Sequence, residues 1–332
     1  MFLEKIFSVK NDQDYKIITL MFCKFKFFNA KKCYAKLDKK TRRLLSYCEQ
    51  MKMVLDSVCD VSKCPPASGK LRDIQQVMTK SLVVLSRILD ANSIKYWIDF
   101  GTLLGAYRHK GFIPWDYDID ISMDRENYSK AMKVLPSLLK CTPFRLDIGK
   151  KGKPIFMKVA INDHLVIDIF PYDFSDSHLD MKEVADNWLK ARQEYADTFP
   201  LKAFYAHKIK LEDTLDKMYQ IMKKHQVIDI SSSKDNAKYV FRAIDSSHLN
   251  STINFHPVSE VFPLQKLKFE NYEFSAPKTP AIYLSRCDSG HYGDIMKFPP
   301  LQAINVYDVD SLISDYDLQR VNKQLDELLK RK

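Results

Sequence analysis

A chain of 332 residues, 45% hydrophobic and 28% charged, has room for one elaborated domain or two small ones and is ordinary for a globular protein. Its 8 glycines and 14 prolines exclude collagen-like and low-complexity architectures, and 7 cysteines, an odd number, favour reduced thiols over a disulfide framework. The net charge of +10 is concentrated in residues 1–43, with 12 Lys or Arg against 4 Asp or Glu; the near-neutral remainder lacks the basic stripe expected of a nucleic-acid enzyme.

Residues 1–30 contain no uncharged run long enough for a signal peptide or a membrane span. Cys23, Phe25 and Phe27 alternate with Lys24 and Lys26, and "KNDQD" supplies turn chemistry, so a small hairpin is predicted. Its lysine-rich edges suit either plain solvation over a main sheet or contact of residues 1–43 with an anionic membrane surface. Residues 31–66 read as basic and polar, closing on Pro65 and Pro66 as a boundary. Cys59 and Cys64 have no second pair at ligand spacing, so they read as thiols rather than a zinc site.

Apolar residues from Leu71 to Leu89 recur at helical spacing. "IKYWIDF" then reads as a strand, and Gly101, Gly105 and Gly111 mark a loop leading to Pro114. A second strand runs through Asp120 to Met123, and Asp124 is a good N-cap for a helix to about Leu139. "FRLDIG", "PIFMKVAIN" and "HLVIDIF" are predicted strands. Helical patterns follow at Leu179–Phe199, His207–His225 and Lys234–Ile244, then a hairpin in "KLKFENYEFSAP" turning at Glu270–Asn271. Asp315–Leu329 closes as an amphipathic helix. The fold class is α+β, a mixed sheet flanked by helices with a helix-rich second half.

The chemistry is concentrated in "WIDFGTLLGAYRHKGFIPWDYDIDISM". Asp116, Asp118 and Asp120 are spaced two apart, so on a strand they share one face, while Tyr117 points away. Like charges so placed repel and stay ionised only beside cations, which hard divalent ions supply. Gly101 allows close backbone approach to a phosphate, and Thr102 can donate to it. Asp168, set between Ile167 and Ile169, offers a further acid; the alternative for it is a salt bridge to Arg108 or Lys158. Arg108 and Lys110 on the glycine-flanked loop suit phosphate oxygens, whereas His109 reads as a hydrogen-bonding scaffold residue. Together these residues fit a two-metal phosphoryl site, with Asp118 and Asp120 as metal-holding acids and Asp168 as the candidate base. Trp115 and Tyr292 are candidates for stacking on a nucleotide base or framing a choline group.

These residues, with "VIDIFPYD", "VFPLQKLKFENYEFSAP" and "YLSRCDSGHYGDIMKFPP", resemble the LicD phosphotransferases, a family that includes the fukutin-related transferases. The resemblance spans about Ile94 to Pro300. It implies a nucleotidyltransferase-type fold with Mg²⁺ or Mn²⁺, two ions, on Asp116, Asp118, Asp120 and Asp168. It also implies transfer of a phospho-alcohol from a CDP-activated donor to a hydroxyl of a glycan or lipid-linked glycan, releasing CMP. Bacterial members move phosphocholine and fukutin-like members ribitol phosphate; Tyr117, where many bacterial members carry an acid, is similar to the fukutin-related version. The implied organisation is a basic arm and linker (1–66), a catalytic core (67–175), a helix-rich region completing the donor and acceptor site (176–310) and a terminal helix (311–332). Such an enzyme is expected in the cytoplasm, with residues 1–43 as its membrane contact and no nucleic-acid partner. The competing readings are an RNA nucleotidyltransferase and an inactive membrane-associated scaffold.

Overall fold

The computed structural model describes residues 7–12, 15–20, 23–28, 30–148, 156–200, 203, 208–210, 212–246, 254–287, 294–297 and 308–330. Among these, residues up to Cys59 belong to one compact unit and those from Asp60 onward to a second. In the first unit, β1 (Phe7–Asp12), β2 (Tyr15–Leu20) and β3 (Cys23–Phe28) form an antiparallel meander, one strand more than the predicted hairpin. The extra strand arises because β2 is rich in β-branched residues, "YKIITL", and pairs on both edges. The stretch expected to be merely basic and polar is instead a 29-residue helix, α1 (Ala30–Val58).

In the second unit α2 (Gly69–Ala91) follows the predicted stripe, burying Ile74, Met78, Leu82, Leu85 and Leu89 completely. The unit is built on a seven-stranded mixed sheet. Its centre is β5 (Ile119–Asp124) beside β8 (Val166–Ser175), paired in parallel so that Asp120 lies opposite Asp168. Beyond β5 lies β4 (Trp97–Ile98), antiparallel and far shorter than the predicted strand. The other edge of β8 is shared: β7 (Met157–Ala160) covers its first half, and β9 (Tyr239–Arg242) its last residues. The sheet extends from β7 to β6 (Arg145–Ile148) and from β9 to β10 (Phe255–Pro257).

Two sequence readings are corrected here. Phe100–His109 is a helix, α3, not a glycine loop. Gly105 faces the chain that doubles back after the helix, where a Cβ would stand 2.4 Å from the Gly111 carbonyl oxygen, so it is a contact glycine rather than a turn maker. Lys234–Ile244, expected as helix, contains β9. Its aromatic and β-branched core, Tyr239–Val240–Phe241, satisfies the free edge of β8, and that pairing overrides the local helical spacing.

Of the helix predicted over His207–His225, only the part from Leu215 is α-helix among the described residues; the other elements below follow prediction. α4 (Arg125–Leu138) begins at Asp124, whose carboxylate accepts the Asn127 amide at 2.9 Å. α5 (Met181–Thr198) opens on an Asp180–Glu183 capping box. The strands β11 (Gln265–Phe269) and β12 (Tyr272–Ala276) turn at Glu270–Asn271. α6 (Leu215–Lys224) packs with α5 around Trp188, Tyr195 and Met218 in a smaller core, while α2 anchors the main one. α7 (Pro280–Arg286) and α8 (Asp315–Lys330) complete the unit. Among the described residues no helix is long and apolar enough to cross a membrane, and Cys59 is a free thiol.

One core residue has a large pH signature. His256 is fully buried and stacked on Tyr283 with ring centroids 3.9 Å apart, and neither ring nitrogen has a hydrogen-bond partner among the described residues. Burial, with the Arg286 charge second, pushes its imidazole from 6.5 down to about 3. Because the folded value is depressed, the stability from neutral His256 is complete above pH 6.5 and drains away as pH falls toward 3. His256→Phe keeps the stacked ring and should remove about 3 kcal/mol of the stability lost between pH 7 and pH 4. Urea unfolding at the two pH values measures this; equal losses in both proteins would refute it.

Candidate functional site

The site forms where the start of α3 meets the start of β5. Asp99 caps α3 and is fully buried, accepting hydrogen bonds from the Phe100 amide at 2.8 Å, Ser122 Oγ at 2.6 Å and the Tyr283 hydroxyl at 3.0 Å. The Tyr283 hydroxyl also lies 3.0 Å from that of Tyr172, within hydrogen-bonding distance. Burial raises the Asp99 carboxyl above the usual range. The next residue, Phe100, is held at φ 43°, a conformation that non-glycine residues rarely adopt.

Gly101 then brings bare backbone beneath the acids. A Cβ there would lie 3.1 Å from Asp116 Oδ2, a tight contact, and 3.8 Å from Asp120 Oδ2, so glycine spares the Asp116 carboxylate crowding. Thr102 is buried, and its Oγ1 accepts the Asp120 amide at 2.8 Å. Its visible role is to fix Asp120.

Of the three aspartates expected on one strand face, Asp120 lies in β5, while Asp116 and Asp118 lie in the turn before it. The turn closes through the Asp116 amide on the Ile113 carbonyl at 2.9 Å. Gln75 of α2 braces it by donating to the Asp116 carbonyl at 2.7 Å. The alternation still holds: Tyr117 is buried in the main core, whereas Asp116, Asp118 and Asp120 are only partly buried. Asp116 and Asp118 hydrogen-bond to each other, and burial raises both carboxyls. Asp120 is raised well above the usual range by burial and then by the charges of Asp118, Asp168 and Asp116.

Asp168 is ion-paired to Lys158, directly across from it on β7, so the salt-bridge alternative is present. Lys158 in turn lies over the Phe156 ring at 4.5 Å. Phe156, Phe170 and Phe100 form a contiguous aromatic floor, with successive centroids 4.4 and 5.1 Å apart.

Sequence reading missed Arg242, the residue at the other end of that floor, because its strand was read as helix. Its guanidinium stacks 4.4 Å from the Phe170 centroid and 5.5 Å from that of Phe100. One Nη donates to the Ser246 carbonyl at 3.2 Å, but the buried Nε has no hydrogen-bond partner among the described residues. Asp120 and Asp168 are among the charges that offset its burial. The signal available in the sequence was "YVFR", a short β-type run ending in a cation.

The remaining expectations separate from this cluster. Arg108 and Lys110 sit at the far end of α3, about 10–13 Å along the axis from Gly101. Arg108 donates to the carbonyls of Ile295 and Lys297 at 3.1 and 3.3 Å and to His109 Nε2 at 2.9 Å. Burial and the Arg108 charge push His109 down to about 4, which agrees with a scaffold role. Lys110 caps α3 in a left-handed conformation, and its Nζ donates to the Tyr107 carbonyl at 3.0 Å. Trp115 packs partly buried against the main core. Tyr292 lies outside the described residues. A surface recess of about 670 Å³ along α5, lined by Lys190, Glu194 and His225 among others, holds none of the four aspartates.

In donor chemistry, Asp116, Asp118, Asp120 and Asp168 fit a hard divalent cation: all oxygen, acidic, and crowded enough to perturb one another. As their side chains stand, no three acids among the described residues already surround one metal position.

Comparison with known proteins converges on the same segment. Residues 93–212 match the model of the LicD/FKTN/FKRP nucleotidyltransferase domain. An uncharacterised protein of Rickettsia typhi is 36% identical over 96 residues, covering 26% of this chain and 31% of that protein. The lipopolysaccharide cholinephosphotransferase LicD of Haemophilus influenzae is 44% identical over 64 residues, 19% of this chain and 24% of its own length. The ribitol 5-phosphate transferase FKRP of Homo sapiens is 28% identical over 111 residues, 32% of this chain and 22% of its own. The chain thus spans less than a third of the length of these curated relatives. Residues 93–212, which carry Gly101 and all four aspartates, are thus similar to the nucleotidyltransferase domain of the LicD/FKTN/FKRP proteins.

Proposed function

We propose that the protein is a metal-dependent phosphotransferase that moves phosphocholine, or a related phospho-alcohol, from a CDP-activated donor to a hydroxyl of a cell-surface glycan, releasing CMP. The observation that carries this reading is the cluster of four mutually perturbing aspartates at the glycine-opened start of α3, inside the matched domain. Asp116, Asp118, Asp120 and Asp168 would hold Mg²⁺ or Mn²⁺, which when bound offset charge on the attacking and leaving oxygens. Thr102 fixes Asp120, and Gly101 lets the backbone approach the phosphate. Asp168, oriented by Lys158, takes the proton of the attacking hydroxyl. The floor of Phe100, Phe156 and Phe170 excludes water from one side. Ribitol or glycerol phosphate is the second reading, favoured by the likeness to the ribitol 5-phosphate transferase FKRP. Incubating the protein and Mg²⁺ with CDP-choline, CDP-ribitol or CDP-glycerol and a deacylated glycan, and following CMP release, separates the two; release from none of them sinks both.

Arg242 has a place in this reading as the cation beside Asp120 and Asp168 that meets a donor phosphate, its buried Nε unpartnered among the described residues and its plane fixed by Phe170. Arg242→Gln is expected to raise the KM for the CDP donor about tenfold or more, worth one charge-assisted hydrogen bond of roughly 1.5–3 kcal/mol. An unchanged KM with lowered thermal stability would make Arg242 a structural cation only.

A further inference from the structure

We propose that α1 is a membrane-surface helix, its exposed apolar stripe entering the headgroup layer of an anionic bilayer while its cations meet lipid phosphates. This inference stands apart from the catalytic reading and rests on different residues. Leu37, Leu44, Tyr47, Met51, Val54 and Val58 are 45–71% exposed. At the rotation of an α-helix these six fall within an arc of about 100°. A monomer seldom leaves so continuous an apolar run uncovered.

Charge indicates what covers it. Residues 31–43 hold seven Lys or Arg and one acidic residue, Asp38. Lys36, Lys39, Lys40, Arg42 and Arg43 are all exposed, and Asp38 is already paired with Arg42 at 2.8 Å. Lys36 and Arg43 lie on one border of the stripe and Lys40 falls within it; such long side chains can lay their stems on apolar surface and extend their charges outward. An apolar stripe with cations along and within it, and with Tyr34, Leu45 and Met53 the exposed apolar residues outside it, is the pattern of a helix lying in the plane of an anionic interface. A second copy of the chain fits less well, because parallel pairing on this stripe would set two of these cationic segments side by side. Crossing the bilayer is not open to α1, which is not apolar enough.

The test is co-sedimentation of the full chain with phosphatidylcholine vesicles, with and without about 30 mol% phosphatidylglycerol. Binding to the anionic vesicles is expected to be at least about tenfold tighter, and to weaken between about 0.1 and 0.5 M salt. Leu44→Glu with Met51→Glu should weaken it by about tenfold or more, Lys36→Gln with Lys40→Gln should weaken it and flatten its salt dependence, and Ser46→Gln on the polar back should leave it unchanged. Circular dichroism checks that each variant keeps its helix content. Absent binding, equal binding to both vesicles, or a solution dimer that the two glutamates dissociate would each overturn the proposal.

Discussion

On the proposed phosphotransfer, Asp120→Asn should lower CMP release at least about a thousandfold, roughly 4 kcal/mol of barrier, while leaving the protein as stable as before or more so. The two halves of this expectation have one cause. Asp120 is partly buried and pressed by Asp118, Asp168, Asp116 and Asp99, so its negative charge is a strain on the folded chain. The amide is nearly isosteric, keeps the backbone bond to Thr102 and removes that charge. A catalytic acid is thereby distinguished from a structural one, whose loss would cost stability and little turnover. Mg²⁺ should raise the melting temperature of the unsubstituted protein and do so much less in the variant, by mass action on the folded state. Turnover within tenfold of the parent would end the assignment of these aspartates to catalysis.

The second large effect is on the fold itself. Arg125, the first residue of α4, makes two forked ion pairs. Its contacts to the Asp173 oxygens are both 2.9 Å and those to Asp245 are 2.8 and 2.9 Å. Both aspartate side chains are fully buried. Arg125→Met leaves two carboxylates without their cation and should cost about 3–5 kcal/mol, measured by urea unfolding at pH 7. The deficit should shrink as pH falls. Without arginine, burial and the Asp245 charge lift the folded Asp173 carboxyl further above its unfolded value, so its neutral form stabilises the fold at low pH and that contribution is lost as pH rises. Replacing Asp173 and Asp245 by leucine as well should recover much of the loss. A deficit below about 1 kcal/mol would mean that the triad contributes little to stability.

What could be read in advance follows a physical line. α4 and its Asp124 cap, α2 with its buried stripe, and the hairpin turning at Glu270–Asn271 were legible because local chemistry and burial agree there. The acids and Gly101 were legible as a group because like charges at fixed spacing need an external reason. Where partners are remote, local reading failed. Arg242 enters the site only because its strand completes the edge of β8, and Asp99 was passed over because its partners Ser122, Tyr172 and Tyr283 come from β5, β8 and α7. α3 was obscured by glycines whose purpose is contact rather than turning.

Glu270, at the hairpin tip, accepts the Phe112 amide at 3.2 Å and forks onto Arg72 of α2 at 2.9 and 2.6 Å, while its own amide donates to the Lys110 carbonyl at 2.7 Å. One carboxylate thus ties the chain just before Asp116 to elements that begin before the matched domain and end well after it. During synthesis the acidic turn emerges long before its strut, so the site cannot take its working shape until about 150 further residues have been made. A nascent chain that has reached residue 212 holds every candidate acid and Arg72 yet lacks Glu270, and so should be inert until the rest of its length arrives.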